Sequence, residues 1–197
     1  MTNRSSRSSR ASAARGFTLV ELLVVVAMIG VLAALALVGY RKYMRASSSS
    51  EATAMIQGIR AAEEAYKAEM LVYLKVSPSL NAAADYYPTN PATSCAAGKS
   101  IKTGWGGGAT QTAVNWKTLN VTADSPVAFS YAAVAGTTTT PYPGWPAALK
   151  NTPTLPAPAT EPWYVIMAMA DRDCDGTFAV FLSSSFTGEV YYENETE

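Results

Sequence analysis

The stretch RGFTLVELLVVVAMIGVLAALALVGY, Arg15 to Tyr40, decides how this chain folds. From Leu22 to Val38 it holds no charged or strongly polar side chain. Phe17 to Tyr40 counts 24 residues, about 36 Å as a helix, enough to cross a bilayer core of about 30 Å. Arg41, Lys42 and Arg45 follow and mark an interface. One residue breaks the pattern. Glu21 sits among apolar neighbours five positions after Gly16, and a carboxylate near a membrane is costly without a partner.

Downstream the pattern changes without stopping. In EATAMIQGIRAAEEAYKAEMLVYL, Met55, Ile59, Ala62, Tyr66, Met70 and Tyr73 recur at steps of three and four, while Glu51, Arg60, Glu63, Glu64 and Lys67 fall largely on other faces. That spacing predicts an amphipathic helix with one apolar stripe. No proline interrupts Phe17 to Val76, and Pro78 is the first breaker, so the expectation is a single helix of about 60 residues, roughly 90 Å long. Gly30, Gly39 and Gly58 are its soft points, and Ser47–Ser50 reads as a polar, flexible stretch.

Residues 77–126 read as loop, with Pro88, Pro91, Gly98 and the run GWGGG. Strand signals follow in VAFSYAAVA (127–135), WYVIMAMA (163–170), TFAVFLSS (177–184) and EVYYENE (189–195). Val127, Phe129, Tyr131 and Ala133 share one face, as do Phe178, Val180 and Leu182; residues 163–170 are apolar throughout. The last three strands are spaced as a meander, whereas a Pro/Thr-rich excursion, TTTTPYPGWPAALKNTPTLPAPATEP, separates them from the first. The expected body is α+β, a long helix packing its stripe on a four-stranded antiparallel sheet. Trp145 in PYPGWP is expected to be exposed, for packing between subunits.

Composition narrows the chemistry. The chain has 197 residues and no net formal charge, but Arg4, Arg7, Arg10 and Arg15 all precede Phe17 with no acid among them. Without those four, 11 basic side chains face 15 acidic ones, a net of −4. Such a body gives no electrostatic reason to expect nucleic-acid binding. Histidine is absent, which removes the commonest general base and metal ligand. Cys95 and Cys174 are too far apart for a CxxC motif. Joined, they close a loop of about 80 residues, contributing roughly 4 kcal/mol in the loop-entropy model; two free thiols are the alternative. In DRDCDG, Asp171, Asp173 and Asp175 precede Gly176 like the start of a calcium loop. The twelfth position is Leu182 and the flanks read as strands, so this is no EF-hand. Three alternating carboxylates could hold a calcium ion; a solvated turn uses the same residues.

An ordinary secretory signal is cut after its apolar segment. Here the small residue Gly16 stands before it, within G-F-T-L-V-E. Over residues 15–37 this resembles the type IV pilins and their secretion-system relatives, the pseudopilins. The resemblance implies that residues 1–16 are a leader cut off by a prepilin peptidase between Gly16 and Phe17. Phe17 then becomes the N-methylated first residue and Glu21 the fifth. Residues 17–40 would be the transmembrane and assembly half of the helix, and 41–197 the periplasmic or extracellular head. Cleavage creates a cationic amine at Phe17, one helical turn from Glu21, and family precedent pairs that carboxylate with the amine of a neighbouring subunit, fixing the stagger. The alternative for Glu21 is an ordinary anchor whose acid snorkels to the interface.

The resemblance implies no catalytic role and no resident cofactor, although some pseudopilins hold calcium. Implied partners are the prepilin peptidase, the inner-membrane assembly machinery and further copies of the chain in a homo-oligomeric filament. The implied location is the bacterial inner membrane, then a surface pilus. Many major pilins have proline where this chain has Val38, a departure that brings minor pilins and type II secretion pseudopilins into view. A membrane-anchored receptor or enzyme predicts convergent polar residues, and the sequence offers only the Asp turn.

Overall fold

The computed structural model describes residues 16–91, 95–96, 99–156 and 159–195, without the side chains of residues 41, 42, 44–46, 96 and 99. The expected leader through Arg15 and the flanking side chains of Arg41, Lys42 and Arg45 lie outside the described residues. Two units divide the chain, Met1–Arg41 and Lys42–Glu197. Helix α1, Leu19–Met70, comprises 52 residues. In the first unit its segment Leu19–Tyr40 is long and apolar enough to cross a membrane and has no buried residue.

In the second unit α1 buries Ala52, Ile56, Ile59 and Glu63, steps of four, three and four that trace one helical stripe. The stripe is rotated from the expected one. Met55, Ala62 and Tyr66 lie at its margin and Met70 is exposed. Ser48 and Ser49 are buried rather than forming a flexible polar stretch, and Ser49 Oγ donates to the Glu195 carbonyl at 3.2 Å.

The helix ends at Met70, short of the expected Val76. Leu71 takes φ 64° and its N–H bonds the Lys67 carbonyl at 2.8 Å, a left-handed helix stop that usually employs glycine. The chain then folds back, so that Leu74 N–H donates to Glu63 Oε2 at 2.9 Å. Tyr73 Oη accepts from Lys67 Nζ and donates to Glu64 Oε1, both at 3.0 Å. This grip by the Glu63 side chain ends the helix before Pro78 can.

A 3₁₀ turn (Ala83–Asp85), a small hairpin of β1 (Cys95–Ala96) and β2 (Lys99–Ser100), and helix α2 (Gln111–Thr118) occupy the segment expected as loop. Thr110 starts α2, its Oγ1 accepting from Ala113 N–H at 3.2 Å. Ala113, Trp116 and Leu119 bury its apolar side. The main sheet has antiparallel order β3-β4-β5-β6: Ser130–Gly136, Trp163–Ala170, Ala179–Ser184 and Tyr191–Glu193. The first, third and fourth strands are shorter at their starts than expected, and β6 also at its end. Opposite Gly136 in the register stands Trp163, and a Cβ on Gly136 would come within 2.6 Å of the indole ring. Only glycine fits there.

Every residue of β4 is buried, as its unbroken apolarity requires of a strand covered on both faces. Tyr164, Ile166, Ala168 and Ala170 join the core containing Ile56 and Ile59 of α1. Trp163, Val165, Met167 and Met169 face the other way, with Leu80, Tyr86 and Leu149. Tyr142, Trp145 and Leu155 of the Pro/Thr-rich excursion pack on that second cluster, so Trp145 is half-buried rather than exposed. Glu193 fastens the excursion, accepting from the N–H groups of Lys150 and Asn151 at 2.8 and 2.7 Å. Beyond β3, Ser77 N–H donates to the Ala133 carbonyl at 2.7 Å, and Tyr87 bonds Tyr131 reciprocally, covering an edge that would otherwise invite pairing. The architecture is α+β, an apolar N-terminal helix with a four-stranded antiparallel sheet, consistent with a pilin-like fold.

Candidate processing and assembly site

Gly16, Phe17 and Thr18 precede the first turn of α1 and are exposed, Phe17 at 90%. Thr18 is the helix N-cap: its carbonyl accepts the Leu22 N–H at 3.2 Å. Its N–H and hydroxyl both donate to Glu21 Oε2, at 2.9 and 2.8 Å. Glu21 N–H donates back to Thr18 Oγ1 at 3.2 Å. This is a capping box, in which two backbone donors left over at the start of a helix are satisfied by each other's side chains. Its sequence signal is Thr18-x-x-Glu21 before an apolar run, a pattern overshadowed by the G-F-T-L-V-E stretch that overlaps it. Glu21 therefore has a partner within its own chain while Gly16 and Phe17 are still joined.

The arrangement has three chemical consequences. The Gly16–Phe17 peptide bond lies outside the helix. The carboxylate is oriented through Oε2, and among the described residues Oε1 has no hydrogen bond. The 22 residues from Leu19 to Tyr40 form an apolar segment exposed on every side, a surface that lipid or other apolar helices can cover.

A second carboxylate on α1 has the opposite setting. Glu63 is wholly buried, with Oε2 bonded to Leu74 N–H and Oε1 without a partner among the described residues. Burial pushes its carboxyl up to about 8, against the lowering effect of the Leu74 bond and assisted by the Glu64 charge. Nothing in its sequence setting announces this, since Glu63 falls off the expected apolar stripe. Glu51 is likewise structural: it accepts from Ala128 N–H at 2.5 Å and pairs with Lys102 at 2.8 Å.

Cys95 and Cys174 form a disulfide that joins β1 to the turn after β4. Asp171, Asp173 and Asp175 each bring a carboxylate oxygen within 4.8 Å of the others. Asp171 uses both oxygens locally, accepting from Cys174 N–H at 2.7 Å and Gly176 N–H at 3.1 Å. Asp175 accepts from Thr177 N–H at 2.6 Å. Arg172 is half-buried between the first two, and burial holds its guanidinium below the usual range. The three acids thus come together, with Asp171 already engaged in shaping the turn.

Residues 11–37 match the family described as the prokaryotic N-terminal methylation motif. No curated protein and no solved structure matches the chain. The matched stretch contains Gly16, Phe17, Thr18 and Glu21 and most of the apolar segment. The chain carries the prepilin motif of type IV pilins and pseudopilins, which supports a type IV pilin or pseudopilin-like precursor.

Proposed function

We propose that the chain is a structural subunit of a type IV pilus, made as a precursor whose Gly16–Phe17 bond a prepilin peptidase cuts. Residues 1–16 leave as the leader, and Phe17 becomes the methylated first residue. Residues 17–40 hold the subunit in the inner membrane and later pack in the filament; 41–197 form the head, on the periplasmic side before assembly and at the cell surface after it. The chain has no catalytic role and no resident cofactor. The observation that carries this reading is the carboxylate at the mouth of a wholly exposed apolar helix, directly after an exposed Gly16–Phe17 bond. On cleavage the Phe17 amine supplies a cation one helical turn from Glu21. Glu21 Oε1 is then available to an incoming subunit's amine while Oε2 stays on the cap.

The test is mass spectrometry of the chain recovered from membranes and from sheared surface fractions. A chain beginning at methylated Phe17, abundant in long filaments, is the expected result. A chain still beginning at Met1 overturns the processing. A second reading, a pseudopilin of a type II secretion system or a minor pilin, draws on the helical path through Val38, where many major pilins have proline. It predicts processed chain in membranes and none in sheared filaments.

A further inference from the structure

Sequence propensity carries α1 on to Val76, yet the helix stops at Met70. A small set of contacts stops it. Leu71 adopts the left-handed φ of 64°, a conformation that costs a residue with a side chain. Leu74 N–H donates to Glu63 Oε2 at 2.9 Å, and the Tyr73 hydroxyl ties Lys67 to Glu64. Tyr73 also meets the Tyr164 ring edge-on, with centroids 4.7 Å apart. Beyond Leu74 the chain is anchored from elsewhere. Asn115 Nδ2 donates to the carbonyls of Lys75 and Val76 at 3.2 and 2.9 Å, and Ser77 N–H donates to that of Ala133 at 2.7 Å. Leu71–Leu74 is therefore a short span between two fixed ends, closed over Glu63 by one backbone bond.

Glu63 is sealed beneath that span with Oε1 unbonded, and the groups around it offer no counter-charge. On α1, Glu64 has the same sign. Arg60 is engaged by Tyr164 and the Gly188 carbonyl, and Lys67 by Tyr73. Tyr73 of the return and Tyr164 of β4 are phenols that burial pushes further from ionisation. Glu161, ahead of β4, adds a negative charge felt at Tyr73. Helix α2 meets the return with the neutral Asn115, while its Lys117 and the return's Lys75 are exposed. An ionised carboxylate shut in this way, with no cation bonded to it among the described residues, is costly. Opening the span admits water to it and frees Leu71 from its left-handed conformation, and the sheet need not move.

We propose that Leu71–Leu74 is a proton-held latch, closed over Glu63 while that carboxyl is neutral and opened by its ionisation, with Val76 and Ser77 staying in place. The end of α1 is thereby firm in acid and loose in alkali. Burial pushes the carboxyl from its ordinary 4.5 up to about 8. The closed latch keeps its proton where the open one has released it. Closure is thus strongest below 4.5, weakens as pH rises, and reaches its floor above about 8. Every residue involved belongs to one copy of the head, so the latch is independent of the filament reading.

Hydrogen exchange of the full chain in detergent, read at single amides, tests it. After division by the intrinsic rate, opening at Leu74 should rise about tenfold per pH unit between 4.5 and about 8 and then level off. Low urea should leave it unchanged, because a local opening exposes little surface. The amides of Ser77, Ile166 and Met167 require wider unfolding and should respond to urea. A Leu74 amide that opens only together with β4, with the same urea response, overturns the latch, and so does a Leu74 profile without the rise. Glu63→Gln keeps an acceptor for the Leu74 N–H and cannot ionise, so its profile should be flat; a rise equal to that of the native chain overturns the proposal. Leu71→Gly gives a second check with Glu63 in place. Glycine suits the left-handed conformation, so the latch should open several-fold less at every pH while the slope is retained. Loss of the slope in that variant refutes the latch.

Discussion

Glu21 and Glu63 lie on the same helix and differ in nearly every respect. Glu21 is exposed at the mouth of an apolar segment, and its carboxylate takes two hydrogen bonds from Thr18. Glu63 is sealed inside the head and satisfies one oxygen only. Exposure makes the first a group that another chain can reach. Burial makes the second a fixture of its own fold. The same side chain thus acts outward in one unit and inward in the other, and substitution should separate the roles cleanly.

The largest effect is expected at Glu21. Glu21→Ala removes the charge and the box together, leaving the apolar segment intact. The variant should insert in membranes as the native chain does and yield no filaments, read by electron microscopy of sheared fractions. Glu21→Gln retains a capping-box acceptor without the charge, so filaments should be lost again while the helix start is preserved. Normal filaments from Glu21→Gln would show that the cap, not the charge, is what assembly uses.

Substitution of Glu63 should leave processing untouched and change how stability responds to pH. Its folded-state pKa, about 8, lies above the ordinary value of 4.5. Between those values the folded chain holds a proton that the unfolded chain has released, so stability declines as pH rises from 4.5 and levels off above 8. Thermal unfolding of the full chain in detergent should show this decline. Glu63→Gln should flatten it and be the more stable form at a pH above that range. An equal slope in both forms would mean that the acid is not the source.

The unequal legibility of these two residues has a physical origin. A charge within a long apolar run stands out against a simple background, so Glu21 and the motif around Gly16 and Phe17 can be read directly. The four strands can be read too, because period-two alternation and the unbroken apolarity of 163–170 are local signals. Glu63 lies in an amphipathic segment where acids are ordinary, and only the return of Leu74 shows that it faces inward. The helix end at Leu71 is hidden for the same reason: propensity points to Pro78, and the contact between Leu74 and Glu63 takes precedence. Helix α2 has the Thr110 cap and the Ala113–Trp116–Leu119 spacing, but a glycine-rich approach, GWGGG, masks them. Glu193 and the second core beneath the excursion depend on contacts distant in sequence, to which no local pattern refers.

A smaller effect is expected from Thr18→Val, which keeps the shape of the side chain and removes its hydroxyl. Loss of a cap costs about 1 kcal/mol, so amide exchange at Glu21 and Leu22, whose N–H groups bond Thr18, should quicken several-fold, with membrane insertion unchanged. Thr18→Ser should restore the slow exchange. If Thr18→Val exchanges like the native chain, the hydroxyl is not what starts the helix, and the carboxylate of Glu21 is held by the backbone donor alone.

The smallest effect concerns the remaining acids. Asp171, Asp173 and Asp175 are near enough to share a cation, but their setting resembles Glu63 more than Glu21 in that the first is committed to its own chain. Both Asp171 oxygens accept backbone N–H groups, and a carboxylate shaping a turn in this way must give up those bonds to become a strong ligand. Calcium ligation requires six to eight oxygens, and the three acids at their closest supply only part of that shell. Calorimetry with calcium on the full chain should therefore give no binding heat, and the melting temperature should not move. Heat of binding together with a rise in melting temperature would reassign the turn as a cation site. Asp171→Asn should then abolish both signals, whereas in a plain turn it merely weakens the bonds to Cys174 and Gly176.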